Sequence, residues 1–208
     1  MKTIKENCQA TQTIQKSEFI CTLYRVTSVD EANEKLAEHR KKHYDATHNC
    51  YSYIIGNDAS IIKYSDDGEP SQTAGIVIYD VLKKNELTNV LAIVTRYFGG
   101  IKLGAGGLVR AYSSSTALAV KEATTLAQTP CYVVEIECSY PLLNAVQSAI
   151  REVLPYYSEI TSQFLDTVFL THWVKIPDLK KLEERLIQAS KGSVKIKVIE
   201  EIIKEINL

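Results

Sequence analysis

The segment from Thr95 to Arg110, TRYFGGIKLGAGGLVR, concentrates residue types that bind phosphate groups. Five of the nine glycines in the chain lie between Gly99 and Gly107, and three cations lie in or beside the same stretch. Glycine weakens both helices and strands. Such a cluster therefore indicates either backbone with positive φ or close approach by another group. Exposed N–H groups of a glycine-rich turn form an anion-binding concavity.

The flanking sequence strengthens the anion interpretation of this glycine segment. A buried strand, Val90–Val94, leads into it, and a helix predicted over Leu108–Ala123 follows, so the positive end of a helix dipole would face the loop. The rings of Tyr97, Phe98 and Tyr112 offer faces for base stacking. Neither GxxxxGK[ST] nor GxGxxG is present, so tight strand–helix packing remains an equal alternative. The predicted phosphate or nucleic-acid contacts are Arg96, Tyr97, Gly99, Gly100, Lys102, Gly104, Gly106, Gly107 and Arg110.

A second patch of polar residues precedes this segment. Asp66, Asp67 and Glu69 lie in the turn SDDGEPS, and their oxygens could hold Mg²⁺. A solvated turn with Asx capping is the favoured interpretation. His48, just before a predicted strand, is expected to be a hydrogen-bonding anchor. We predict a second patch of these four residues, with no metal site, no cofactor and no identifiable catalytic residue.

Composition limits the function classes. The chain has 208 residues, of which 45% are hydrophobic, which is typical of globular proteins. A net charge of -1 gives no general attraction to nucleic acid or membrane, so any anion site must be a local patch. Five widely spaced cysteines without a CxxC pattern argue against disulfides and thiolate zinc sites. We expect a cytoplasmic protein with no membrane contact and no disulfide-linked partner, because signal-peptide and membrane-spanning patterns are absent.

The first half of the chain is predicted to mix strands and helices. Residues 1–15 are polar and are expected to form a short lead-in. A helix should begin at Ser28, which forms a capping box with Glu31. Another helix should begin at Ala74, capped by Ser71 or Thr73. The predicted strands are Phe19–Val26, Cys50–Ile55, Ile61–Tyr64 and Val90–Val94.

The second half predicts a compact α+β unit of its own. Its order of elements is β-α-β-β-α-β, the ferredoxin-like arrangement. Gln128–Pro130 is the predicted linker, which divides the chain into domains 1–128 and 129–208. The predicted strands are Tyr132–Cys138, Glu159–Phe164, Thr167–Val174 and Val194–Ile199, and the predicted helices are Pro141–Val153 and Pro177–Ser190.

Three sequence blocks resemble the signature blocks of the IMPACT family, in its bacterial two-domain, YigZ-type branch. They are HNCYSYII (His48–Ile55), DDGEPSQTAG (Asp66–Gly75) and RYFGGIKLGAGGLVRAY (Arg96–Tyr112). The resemblance covers residues 16–125. It implies a first domain like the second domain of a small-subunit ribosomal protein and a second like the last domain of elongation factor G. Gln72 stands where the family usually has glycine, so a positive φ there would be strained.

The resemblance also implies a function. Eukaryotic relatives regulate translation, and bacterial members have been suggested to bind nucleic acid or the translation machinery. We therefore predict a regulator of translation that binds RNA or a ribosome/translation-factor complex through the glycine-rich, basic loop. Two alternatives stay open: a nucleotide- or Mg²⁺-dependent small-molecule enzyme of the phosphotransferase type, since small-molecule kinases share a related fold, or a pure protein-interaction module.

Overall fold

The computed structural model describes residues 1–156 and 158–207, which form a mixed α/β protein with antiparallel sheets. The chain forms two compact units, one containing Met1–Gln128 and the other Thr129–Glu205. Within the described residues, no helix combines the length and the apolar character that crossing a bilayer requires. All five cysteines are free thiols.

A five-stranded antiparallel sheet forms the centre of the first unit. The strand order is β2-β3-β6-β4-β5, and a short β1 pairs instead with the start of β7. The strands are β1 (Lys2–Ile4), β2 (Cys8–Ile14), β3 (Ser17–Arg25), β4 (His48–Ile55), β5 (Ile61–Ser65) and β6 (Val90–Tyr97).

The predicted lead-in of residues 1–15 is wrong, because β1 and β2 lie within it. β2 is an edge strand, and along CQATQTI only Ala10 is fully buried. The polar residues between the inward positions face outward, so the apolar alternation that reveals a strand is weak. Gln15 and Lys16, both with positive φ (44° and 64°), turn the chain into β3.

Helices cover both faces of this sheet. Helix α1 (Val29–Lys42) packs on one face, against a cluster that includes Leu91 and Ile93. Helices α2 (Gly75–Lys84) and α3 (Gly104–Glu122) pack on the other, against a cluster that includes Ala92 and Val94. Burial on both faces explains why the central strand is apolar without alternation.

The capping box predicted for α1 is half correct. Ser28 Oγ accepts a hydrogen bond from Glu31 N at 3.2 Å, as expected of an N-cap serine. The Glu31 carboxylate accepts from the backbone N–H of Thr27 at 2.7 Å, one residue before the expected donor. Both side chains still satisfy backbone groups at the start of the helix.

The second unit has the predicted β-α-β-β-α-β order, with strands arranged β10-β7-β9-β8. Val134 and Ile136 of the sheet pack with Val146, Leu182 and Leu186 of the two helices. The elements are β7 (Thr125–Cys138), α4 (Leu143–Val153), β8 (Glu159–Phe164), β9 (Val168–Lys175), α5 (Leu179–Ser190) and β10 (Lys195–Asn207).

Two boundaries in this half differ from the prediction by more than two residues. The predicted linker Gln128–Pro130 lies inside β7, whose first residues pair with β1. β10 extends well beyond Ile199, to Asn207. Its residues 197–201 are all exposed, and from Ile202 to Asn207 half-buried and exposed residues alternate.

Candidate functional site

The two predicted patches meet at a buried ion pair between Arg96 and Glu69. Arg96 Nη1 lies 2.7 Å from Glu69 Oε1, and the two side chains are only 7% and 3% exposed. The Tyr112 hydroxyl donates to the same carboxylate oxygen at 2.8 Å. The glycine segment and the acidic turn are thus two parts of one site.

Strand register places Arg96 at the middle of this site. It lies opposite Phe19 of β3 and opposite His48 of β4. Its guanidinium carbon is 5.5 Å from the centre of the Phe19 ring and 5.4 Å from that of Phe98, and Nη2 contacts Ser17 Oγ at 3.5 Å. The charge of Arg96 is paired with that of Glu69 in this structure, so its predicted contact with phosphate stays a prediction.

His48 is anchored by the acidic turn, in agreement with its expected role. Its Nδ1 lies 2.8 Å from the carbonyl oxygen of Asp67, which can only accept, so this nitrogen carries a hydrogen. Its Nε2 lies 3.9 Å from Glu69 Oε2. Gly68, with φ of +89°, leaves room for the ring, since a Cβ there would lie 3.3 Å from Nδ1.

Asp66 caps helix α2 from a distance. Its Oδ1 accepts from Ala74 N (3.0 Å) and Gly75 N (2.7 Å), and its Oδ2 accepts from Gln72 N (2.9 Å). The N-cap residue, Ala74, makes no side-chain cap, so Ser71 and Thr73 were wrongly predicted as caps. A carboxylate at this position also complements the helix dipole.

Asp67 is likewise occupied within the chain. Its Oδ1 accepts from Arg40 Nη2 at 2.6 Å, and its Oδ2 accepts from Asn49 N at 2.7 Å. The described residues contain no group of three or more His, Cys, Asp or Glu side chains placed to hold a metal ion. The acidic turn therefore provides ligands for backbone and arginine groups, and the Mg²⁺ alternative gains no support from its geometry.

The glycines of the segment differ in whether a positive φ or a close neighbour requires glycine at their position. Gly100 and Gly104 have positive φ, +83° and +68°. Gly99 passes against the β2–β3 turn, where a Cβ would clash with the carbonyl oxygen of Lys16. Neither a positive φ nor a close neighbour requires glycine at Gly106. Its φ is not positive, and a Cβ there would meet nothing within 4 Å. An exposed helical glycine without an internal role is consistent with close approach by an external group.

Helix α3 begins at Gly104, four residues earlier than predicted, and its N-terminus is open. The N-cap Leu103 makes no side-chain cap, and no acidic residue lies in the first turn. Lys102 and Arg110 flank this turn, are exposed, and form no ion pair with any part of the chain that the structure describes. A cleft of about 300 Å³ runs beside the turn, lined by Ile14, Gln15, Leu103, Gly107, Arg110, Ala111 and Ser114.

The three rings proposed for base stacking differ in exposure and in their neighbours. Phe98 is 47% exposed. Tyr112 is fully buried, packs edge-on against Phe19 at 5.5 Å, and has a raised pKa because burial disfavours its anion. Tyr97 lies on the α1 face of the sheet, where its hydroxyl contacts His43 Nδ1 at 2.9 Å.

Sequence reasoning missed a buried polar network under α1. His39 Nε2 lies 2.7 Å from Thr95 Oγ1, Tyr24 OH lies 2.8 Å from His39 Nδ1, and Thr95 Oγ1 donates to Asn49 Oδ1 at 2.8 Å. The ring of His43 stacks on that of His39, with centroids 4.5 Å apart. Desolvation is the main cause that lowers the pKa of His39 to about 4, and the charge of the nearby His43 is the second cause. The only sequence signal was the spacing of two histidines four residues apart on one helix.

Comparison with known proteins identifies the family to which the chain belongs. The family model described as the Impact N-terminal domain matches residues 15–120, which include both patches. The chain is 37% identical to "IMPACT family member YvyE" of Bacillus subtilis over 94% of this chain and 89% of that protein. It is 32% identical to "IMPACT family member YigZ" of Escherichia coli over 90% of this chain and 92% of that protein.

Two further matches differ in how much of this chain they cover. "Protein IMPACT homolog" of Dictyostelium discoideum is 44% identical over 66 residues, which are 31% of this chain and 19% of that protein. A solved structure titled "Crystal structure of an hypothetical protein" has the same fold, with a TM-score of 0.60, 29% identity, and coverage of 96% of this chain and 97% of that one. These matches show that the chain belongs to the IMPACT family, alongside its bacterial members YvyE and YigZ.

Proposed function

We propose that this protein binds RNA, or an RNA-containing complex of the translation machinery, through the N-terminus of α3. The observation that carries the proposal is the open first turn of this helix, with exposed glycine backbone between Lys102 and Arg110. Unsatisfied N–H groups at a helix N-terminus bind phosphate oxygens, and the two cations would neutralise a neighbouring phosphate. Arg96 contributes indirectly, because its pair with Glu69 holds the glycine segment in place.

The surroundings of the turn favour a nucleic acid over a lone anion. Phe98 presents a ring face for an unstacked base, and Ile101 is also exposed. The cleft beside α3 extends from the helix start to Ser114. Since the net charge of the chain is only -1, affinity must come from this local patch rather than from a general field.

The link with translation depends on the family resemblance. Eukaryotic members regulate translation, and the two domains of the bacterial branch, residues 1–128 and 129–208 here, would resemble a ribosomal-protein domain and the last domain of elongation factor G. Both resemblances are parts of the proposal. Similarity of fold supports only the class of partner, here the translation machinery. The residues that contact this partner have to be argued from the site itself.

The salt dependence of RNA affinity tests the phosphate contacts. We expect binding of a single-stranded RNA to weaken with rising salt, and the variant Lys102→Ala/Arg110→Ala to bind more weakly with a slope reduced by about one per lost contact. Lys41→Ala/Lys84→Ala removes two other exposed lysines and serves as the matched control. If both double variants lose affinity equally, or the wild type binds no RNA, the proposal fails.

A capture experiment tests the translation complex separately. Tagged protein is used to capture ribosomal subunits from lysate, with and without nuclease treatment. We expect nuclease treatment to abolish capture of ribosomal RNA and proteins by the wild type. We also expect Lys102→Ala/Arg110→Ala to capture neither of them. Nuclease-resistant capture that needs neither cation would instead favour the protein-interaction alternative.

A further inference from the structure

Strand β5 forms an exposed apolar edge of the first-unit sheet. It lies at the end of the order β2-β3-β6-β4-β5 and pairs with β4 on its inner side. No other strand among residues 1–156 and 158–207 pairs with its outer side. Ile61, Ile62 and Tyr64 are 45%, 42% and 49% exposed. A row of free backbone groups beside apolar side chains is a template for pairing with another strand.

The opposite edge strand of the same sheet, β2, is polar. The outward residues of β2 include Gln9, Thr11 and Thr13, all polar and exposed. Gln12 donates to Ser114 Oγ and Ser115 Oγ of α3, at 2.8 and 2.6 Å, so α3 packs against the inward face of β2. The contrast within one sheet indicates that the apolar character of β5 is a local property and not a general feature of the surface.

A groove next to β5 provides room for side chains of an added strand. It has a volume of about 330 Å³, and its apolar lining includes Ile54, Ile62, Tyr79 and Leu87. Tyr64 extends this wall, with its ring centroid 6.2 Å from that of Tyr79. Ile62 and Tyr64 are two residues apart, so alternate residues of an added strand would face the groove.

The charge of β5 distinguishes between possible occupants. Lys63, at the centre of the strand, forms no ion pair within the described part of the chain. The antiparallel register that would pair all of β5 with a second copy places Lys63 opposite Lys63. Like charges directly opposite each other destabilise a strand pair, whereas an acidic residue there stabilises it.

We propose that β5 binds an extended segment of a partner protein as an additional antiparallel strand, with apolar residues alternating over the groove and an acidic residue opposite Lys63. Main-chain hydrogen bonds to the β5 edge would supply affinity, and the groove and Lys63 would supply specificity. This surface uses neither Lys102 nor Arg110, so it is separate from the proposed RNA contact.

Synthetic peptides test this proposal on the full-length protein. The probe is a capped nine-residue peptide of alternating valine and threonine with a central glutamate. The comparison peptides carry a central lysine, or N-methyl groups on the backbone of the binding edge. We expect the glutamate peptide to slow amide exchange in β5, the lysine peptide to bind about threefold more weakly, and the N-methylated peptide not to bind.

Matched variants locate the binding surface. Ile62→Lys places a charge in the β5 groove and should abolish binding of the glutamate peptide, and Thr11→Lys on the β2 edge should leave it unchanged. Tyr64→Lys, on the same face of β5 as Ile62, should also abolish binding and is the second variant should Ile62→Lys fail to fold. Lys102→Ala/Arg110→Ala should retain peptide binding. Absence of exchange protection in β5, equal binding by Ile62→Lys and Thr11→Lys, or protection of β5 by self-association would overturn the proposal.

Discussion

Arg96 and Glu69 hold the site together through charges that are almost wholly removed from water. Loss of one member of such a pair costs about 3–5 kcal/mol, because the other charge stays buried without a partner. We expect Arg96→Met to lower the free energy of unfolding by that amount, and Glu69→Gln by somewhat less, since an amide oxygen still accepts from Tyr112. Urea denaturation of each variant measures the change.

The double variant Arg96→Met/Glu69→Gln is the control for this pair. Removing both charges leaves no unpaired ion, so the double variant should be less destabilised than the sum of the two single variants. A cost equal to that sum would mean that the two side chains contribute independently, and the site would have to be held together by other contacts.

Gly106 allows binding and stability to be separated at a single residue. Because a Cβ at this position meets nothing within 4 Å, Gly106→Ala should raise the free energy of unfolding by about 0.5–1 kcal/mol. The same methyl group should weaken RNA binding if phosphate approaches this backbone closely. Ala105→Gly, in the same turn, is the control that lowers helix stability without adding an atom. Stabilisation of Gly106→Ala with unchanged RNA affinity would exclude close contact here.

The turn before α2 contains local strain that its sequence suggested. Gln72 has φ of +63°, in the left-handed region that costs an ordinary residue roughly 1 kcal/mol. The Asp66 cap keeps the turn in this conformation, since it binds the N–H groups of Gln72, Ala74 and Gly75. We expect Gln72→Gly to raise the melting temperature by roughly 2–4 °C, and Gln72→Ala, which keeps the Cβ, not to raise it. A higher melting temperature for Gln72→Ala would show that the side chain, and not φ, causes the strain.

Elements with strong local patterns were predictable, and those determined by distant contacts were not. The apolar run of β6 and the serine cap of α1 are encoded within a few residues. The start of α3 at Gly104 was missed because glycine has poor helix propensity, and β2 was missed because only Ala10 is fully buried.

Residue types in the candidate site were identifiable, but their pairing was not. The spacing of the glycines and cations indicated a binding loop, and the acidic turn stood out by composition. Nothing in the sequence showed that Arg96 contacts Glu69, because the two lie 27 positions apart and meet only through the sheet and the turn. The same holds for Asp66, which caps a helix that begins nine residues later.

At the scale of the whole molecule, burial makes stability depend on pH in both units. Three of the four histidines, His39, His43 and His172, have a lowered pKa, mainly because they are desolvated. In the folded chain His39 has a pKa of about 4, below the value near 6.5 of an unfolded histidine. The unfolded chain therefore binds more protons between these values, and stability is lost as the pH falls from about 6.5 towards 4.

The network around His39 determines how steep this loss should be. His39 donates through Nε2 and accepts at Nδ1 when neutral, so a second proton has to displace the hydrogen bond from Tyr24. We expect unfolding free energies measured by urea between pH 4.5 and 7 to fall on acidification, on the order of 2 kcal/mol from His39 alone. His39→Gln should flatten the curve in this interval, whereas Lys41→Ala on the same helix should not. An unchanged slope in His39→Gln would assign the acid sensitivity to other groups.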